Sequence, residues 1–251
     1  MTGVNSSVIV DVNKVSKSYG NLEVLIDVTF KVSKTEFFVI VGPSGCGKTT
    51  LLKIIAGLET PSSGSVLING NPPNPRFLNI GYVFQEDSLF PWRTVSGNVR
   101  FGLEVKGLTS EDKVKEVIDL VGLTGFEHYY PYQISGGMRK RAAIARALAV
   151  DPLLLLMDEP FGDLDAQTRW IMHKELWAIH ERLRKTTLLV THNVEEAIYL
   201  ADRVAVLTKR PGIVKKIIPI ELERPRNKLS RQFIEYRELI IELLREEVPG
   251  I

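Results

Sequence analysis

The eight residues Gly42-Pro43-Ser44-Gly45-Cys46-Gly47-Lys48-Thr49 fit the pattern G-x-x-x-x-G-K-[ST], and the apolar run Phe37–Val41 stands directly before them. Glycines let successive backbone N–H groups turn inward around phosphate oxygens. A lysine in this place reaches the β- and γ-phosphates, and the threonine hydroxyl ligates Mg²⁺. Thr50 opens a run to residue 56 that reads as a helix, whose N-terminal dipole also favours an anion. Gly42 through Thr50 are thus candidates for holding a nucleoside triphosphate, with Lys48 on its phosphates and Thr49 on the metal. Further along, four leucines precede Met157-Asp158-Glu159-Pro160. Two adjacent carboxylates at a strand end can divide the two tasks of a hydrolytic site, holding the metal and orienting the nucleophile.

These residues need strands to deliver them and helices to cover the strands. Runs at 8–15, 24–32 and 37–41 are rich in β-branched and aromatic residues, separated by Tyr19-Gly20-Asn21 and Ser33-Lys34-Thr35, which predicts an N-terminal group of strands. Short strands are expected at 65–68 and 80–84. From 94 to 149 the periodicity becomes helical, with Ser110 capping 111–121 and Ser135 capping the stretch to 149. The apolar run 153–157 has the length of a strand buried on both faces. A helix at 168–183, a strand at 187–190, a helix at 194–200 capped by Asn193 and a strand at 203–208 then alternate as α/β chains do. In the tail from Lys228 onward, Phe233, Tyr236, Ile240, Leu243 and Leu244 share one face of an expected helix that packs on its own domain. The expected organisation is one domain over 1–225, with a helical insertion at about 94–149, and a helical tail over 226–251.

With 25% charged residues and a net charge of +2 among 251 residues, bulk electrostatics do not point to nucleic acid or an anionic membrane. Arg139-Lys140-Arg141 is a local basic exception. The single cysteine, Cys46, excludes an intrachain disulfide framework and reads as a small loop residue. The polar N-terminus, residues 1–7, lacks the layout of a signal peptide, and no apolar stretch approaches the ~18 residues of a membrane helix. A cytoplasmic protein is expected, with any membrane role exercised through a partner.

Ile134-Ser135-Gly136-Gly137-Met138, placed at the start of a helix, resembles the signature sequence of ATP-binding cassette ATPases. The acidic pair resembles the second nucleotide motif of the same P-loop class. The family usually has Leu at 134 and Gln at 138; Ile conserves volume, whereas Met removes an amide. Sulfonate-type importers are similar to this chain in carrying Met there. Other family positions match in order: Tyr19 after Lys17-Ser18, Gln85 after Tyr82-Val83-Phe84, Asp165 in Gly162-Asp163-Leu164-Asp165, and His192 after Leu188-Leu189-Val190-Thr191. Asp163 stands where many relatives have Ala. His128, His173 and His180 have no metal-ligand spacing and read as surface or packing residues.

The resemblance implies a P-loop NTPase core with a mixed, largely parallel sheet, an N-terminal antiparallel β subdomain and an inserted α-helical subdomain. It implies ATP and Mg²⁺ as cofactors: Asp158, Gln85 and Thr49 toward the metal, Glu159 polarising the attacking water, His192 on the γ-phosphate and Tyr19 on adenine. Ser135, Gly136, Gly137 and Asp165 would serve a nucleotide held by a second copy, in a head-to-tail dimer enclosing two ATP. Phe90-Pro91-Trp92-Arg93-Thr94-Val95, Asp158-Glu159-Pro160-Phe161-Gly162, Val194-Glu195-Glu196-Ala197, Ala201-Asp202-Arg203-Val204 and Lys209-Arg210-Pro211-Gly212 look like the ATPase subunits of bacterial nitrate, sulfonate and taurine importers. The implied partners are a transmembrane permease, touched around Gln85 to Arg93, a second copy of the chain and, indirectly, a solute-binding protein, at the cytoplasmic face of the membrane. The alternative is a soluble cassette ATPase acting on nucleic acid or ribosomes. Such proteins tend to have two cassettes, a coiled-coil insertion or a strongly basic face, and this chain shows none of them. A non-hydrolysing module is opposed by Glu159 and His192 together.

Overall fold

The structure is a computed structural model that describes residues 7–74 and 79–245. The first six residues and the tail beyond Arg245 lie outside the described residues. The elements run β1 (Val8–Tyr19), β2 (Leu22–Ser33), β3 (Phe37–Val41), α1 (Lys48–Ile55), β4 (Ser63–Ile68), β5 (Ile80–Val83), α2 (Val95–Val105), α3 (Glu111–Leu120), a 3-10 turn (Pro131–Gln133), α4 (Gly136–Ala149), β6 (Leu154–Asp158), α5 (Ala166–Leu183), β7 (Thr186–Thr191), α6 (Val194–Leu200), β8 (Arg203–Leu207), β9 (Val214–Pro219) and α7 (Arg231–Arg245). They fall into two compact units, residues 1–78 with 186–251, and residues 79–185. No helix among the described residues is long and apolar enough to cross a membrane.

In the first unit, β1 pairs antiparallel with β2 on one side and β4 on the other. β1 continues four residues beyond the run read from the sequence, because Lys17, Ser18 and Tyr19 still pair with Leu25, Glu23 and Leu22. Backbone pairing is indifferent to the polar side chains that ended the sequence pattern. Gly20 turns the hairpin at φ 58°, a value glycine adopts without cost.

A second group of strands in this unit has the order β7-β3-β8-β9, parallel except for the last. Every residue of β3 and β7 is buried, as expected of parallel strands covered on both faces. Each fully buried aliphatic or aromatic side chain here contributes about 1.5–3 kcal/mol. The strand starts are tied by polar contacts: Glu36 takes a two-pronged ion pair from Arg203 at 2.7 and 3.0 Å, the Phe37 amide donates to Asp202 at 2.8 Å, and the Thr35 amide donates to Thr186 at 3.0 Å. With these ends fixed, the opposite ends of β3 and β7 are where loops can carry function. The strand β9 went unread because Val214-Lys215-Lys216-Ile217 does not alternate strictly. It is an edge strand, where lysines are favoured against unwanted pairing.

The C-terminal segment folds back on α6. Arg226, only 5% exposed, donates to the carbonyls of Ile198, Tyr199, Ala201 and Ile220, and so satisfies the orphan acceptors at the end of α6. Burial, followed by the neighbouring Arg224, pushes its pKa down to about 9, which leaves it protonated at neutral pH. On the expected stripe of α7, Phe233 and Ile240 are buried while Tyr236, Leu243 and Leu244 are half-buried. Lys228 and Arg237 both approach Glu195 in the first turn of α6, at 3.2 and 3.4 Å.

In the second unit β5 and β6 are parallel, with Val83 opposite Met157. The alanines of α4 are buried against α2 and α3, and Gly102 of α2 admits this approach, since a Cβ there would stand 2.7 Å from Val150. Thr94, Ser110 and Ser135 cap α2, α3 and α4 with their hydroxyls. His173 and His180 are packing residues, 1% and 4% exposed beside the rings of Phe161 and Trp177; His128 is exposed. Among the described residues no cluster of His, Cys, Asp and Glu could hold a metal by itself.

Arg226→Met is expected to lower stability by about 2–4 kcal/mol, because it strands several buried carbonyls at once. A urea titration will read this as a lower midpoint with an unchanged slope.

Candidate nucleotide site

In the first unit, Gly42 follows β3 directly and His192 follows β7 directly, and the last residues of these strands, Val41 and Thr191, are opposite each other. The register therefore brings the phosphate loop and His192 to the same end of neighbouring strands. The loop's shape is steric. Gly45 has φ 75° and Gly47 φ 104°, and a Cβ on Gly47 would meet Leu25 at 2.7 Å and Val24 at 3.0 Å. Gly42 is equally constrained, with the Cys46 sulfur 2.8 Å from its missing Cβ. Cys46 is buried and fills the loop from within, the structural role read from the sequence.

Lys48 is 4% exposed, and its ammonium donates to the carbonyls of Gly42 and Pro43 at 2.8 and 2.9 Å. It thus closes the loop on itself and stands at the loop's centre. Ser44 and Gly45 are exposed, and Pro43, Thr49 and Thr50 half-buried. The N-cap of α1 is Gly47, which supplies no side-chain acceptor, and no acid stands in the first turn. A helix start so arranged, with a cation at its centre, suits an anion, and the residues present fit a phosphate chain. Tyr19 is 46% exposed with the Lys17 ammonium 4.8 Å from its ring centre. His192 is exposed, and the next residue, Asn193, caps α6.

In the second unit, Gln85 lies two residues beyond the end of β5 and is exposed. Asp158 ends β6 at 3% exposure. Glu159 then takes φ 42°, a left-handed conformation that costs a non-glycine residue about 1 kcal/mol or more and that clusters at functional sites. The Tyr82 hydroxyl donates to Asp158 at 3.4 Å, and burial together with that carboxylate pushes its pKa up. In the sequence Tyr82 reads only as a strand residue, and its contact with Asp158 follows from the pairing of β5 with β6.

Ser135 is exposed, and its hydroxyl accepts from the Met138 amide at 3.3 Å. Gly136 and Gly137 open α4, where a Cβ on Gly137 would press Thr168 at 3.1 Å. Asp165 caps α5, accepting from the Gln167 and Thr168 amides at 3.0 Å each; the Thr168 side chain, followed by these amides, holds its carboxyl below the usual range. The basic triplet is not an open cationic face: Arg139 and Lys140 approach Asp87, and Arg141 pairs with Glu175 at 2.5 Å.

The ABC transporter family matches residues 25–162. An ABC transporter ATP-binding protein of Methanocaldococcus jannaschii is 51% identical over 95% of this chain and 91% of its own length. The aliphatic sulfonates import ATP-binding protein of Bacillus thuringiensis is 44% identical over 93% and 94%. Among solved structures, a dimeric, post-hydrolysis ATP-binding cassette bound to ADP and Pi aligns with a TM-score of 0.74 at 32% identity, covering 86% of this chain and all of that one. A P-loop α/β core with a phosphate loop and a strand-end acidic pair, matched over most of its length, defines an ATPase cassette. The chain belongs to the ABC transporter family and is an ATP-binding cassette ATPase.

Gly47→Ala is expected to weaken ATP binding at least about tenfold, since roughly 1.4 kcal/mol of loop distortion suffices for that. Isothermal titration against the parent protein measures it.

Proposed function

We propose that this chain is the ATP-hydrolysing subunit of an importer for a small solute of the sulfonate or nitrate class. The observation that carries the reading is the phosphate loop at the end of β3, in register with His192 at the end of β7. The similarity to a sulfonate import ATP-binding protein over nearly the whole chain supports the transport class. In this reading Lys48 holds the β- and γ-phosphates, the loop amides hold the remaining oxygens, and Tyr19 stacks on adenine. Thr49, Gln85 and Asp158 would hold Mg²⁺, which neutralises phosphate charge as the bond to the leaving oxygen breaks. Glu159 orients and polarises the attacking water, and His192 contacts the γ-phosphate.

Ser135, Gly136 and Gly137 offer a second anion-binding helix start. One chain has one phosphate loop, so we assign this start, with Asp165, to the nucleotide of a second copy; the dimeric cassette with ADP and Pi is the supporting precedent. The dimer works on a transmembrane permease, with a solute-binding protein delivering cargo, and the chain sits peripherally on the cytoplasmic side. With Arg139, Lys140 and Arg141 each next to a carboxylate, nothing favours a nucleic-acid role.

Lys48→Ala should weaken ATP binding about 10- to 100-fold, the worth of a charge-assisted contact to phosphate; unchanged affinity by titration would remove Lys48 from the site. Glu159→Gln should bind ATP normally yet turn over about 10²- to 10⁴-fold more slowly. Light scattering of that variant should show a monomer becoming a dimer on adding Mg-ATP. A protein that binds ATP and stays monomeric would refute the shared site in the isolated subunit.

A further inference from the structure

A charged lysine buried in the second unit is unexplained by nucleotide binding. Lys140 is 1% exposed, and removing an ammonium from water costs several kcal/mol unless its three donors find acceptors. It has one carbonyl and two carboxylates: it donates to the Gln85 carbonyl at 2.6 Å and forms ion pairs by distance with Asp87 Oδ1 at 3.0 Å and Asp163 Oδ1 at 3.3 Å. The three belong to two loops, the one that follows β5 and the one that follows Glu159.

Arg139, Lys140 and Arg141 are the fourth to sixth residues of α4, toward the end that gives cations no help from the macrodipole. Two of the three point their charge at the loop after β5. Arg139 Nε meets Asp87 Oδ2 at 3.0 Å, so that Asp87 is shared between both cations. Further along α4, Arg146 donates to the Ser88 carbonyl at 2.6 Å. Residues 85–88 are therefore fastened to α4 at several points, while the side chain of Gln85 itself stays exposed. On the other loop, Asp163 is two-thirds exposed, two residues before the cap Asp165.

We propose that Lys140 is a positioning residue for ATP hydrolysis: it fixes the backbone of Gln85 and, through Asp163, holds the loop after Glu159 to the N-terminal part of α4. The proposal rests on the reading above, in which Gln85, Glu159 and Ser135 act on nucleotide. Asp163 thereby acquires a function: it is the breakable arm of the tie. Lys140 and the Asp87 contact lie inside the protein and persist, whereas a rim carboxylate can release and re-form.

The test uses the full chain and four variants, Lys140→Met, Lys140→Gln, Asp163→Ala and the double variant of Lys140→Met with Asp163→Ala, with ATP turnover, ATP titration and hydrogen exchange by peptide. Lys140→Met should lower kcat at least about tenfold, with the ATP dissociation constant within about threefold of the parent. The amides of residues 84–90 should exchange at least about tenfold faster, and those inside α2 and α4 should be unchanged. Lys140→Gln keeps a donor for the Gln85 carbonyl and should restore slow exchange at 84–90 without restoring the tie to Asp163. Asp163→Ala, at an exposed site that does not threaten folding, should speed exchange at 161–165 only and lower kcat, and this kcat loss should vanish when Lys140 is already Met. Parent-like kcat and exchange in Lys140→Met would overturn the proposal, as would additive losses in the double variant or exchange that rises throughout α4. If the parent protein itself does not hydrolyse ATP, the functional reading fails, and exchange at 84–90 and 161–165 still decides whether Lys140 holds the two loops.

Discussion

A loop whose amides are to hold an anion has few left with which to hold itself. This constraint organises the first unit. The phosphate loop keeps its shape through contacts made by other groups: Lys48 drawn onto the Gly42 and Pro43 carbonyls, Cys46 filling the inside, and Val24 and Leu25 of β2 against Gly47. The segment after β8 takes part as well. Gly212 exchanges backbone hydrogen bonds with Val24 and Ile26, and a Cβ there would stand 2.3 Å from the Cys46 carbonyl. The antiparallel sheet is thus part of the wall that supports the loop. The ties at Glu36, Asp202 and Thr186 hold the other ends of the strands, so the loop ends are free of that duty.

The second unit meets its requirement by a different route. The loops after β5 and Glu159 carry acids and a glutamine, and charge pairing onto one helix gives them their places. A hydrogen-bonded asparagine completes the arrangement: Asn98, wholly buried, accepts from the Phe90 amide and donates to the carbonyls of Phe90, Arg93 and Thr94. In effect the stretch from Gln85 to Thr94 has little secondary structure of its own and takes its conformation from α2 and α4. Such buried polar groups stabilise one arrangement over its competitors because every alternative leaves one unsatisfied.

Much of this was legible in the sequence, for a physical reason. Phosphate loops, caps and buried parallel strands are local devices, so Gly42 to Thr49, the Ser135 cap and the leucines before Asp158 declare themselves within a few residues. What could not be read depends on partners distant in the chain. Lys140 reads as one member of a basic triplet until Asp87 and Asp163 are seen beside it, and nothing local to Arg226 points to the carbonyls at the end of α6 that surround it. The continuation of β1 to Tyr19 and the edge strand β9 were hidden because backbone pairing sustained strands whose side chains are polar. Asp165, a loop acid by resemblance, also caps α5, a role that becomes visible only once the start of the helix at Ala166 is known.

The two ends of α6 are held to the C-terminal segment by contacts of different kinds. At one end Arg226 is sealed from solvent among carbonyls. At the other, Glu195 meets Lys228 and Arg237 with all three side chains partly exposed, where dissolved salt screens attraction over roughly 8 Å at physiological strength. Ionic strength therefore acts on this helix asymmetrically. A rise in salt weakens the pairs that Glu195 makes at the end beside His192 and leaves the hydrogen bonds of Arg226 at the far end untouched.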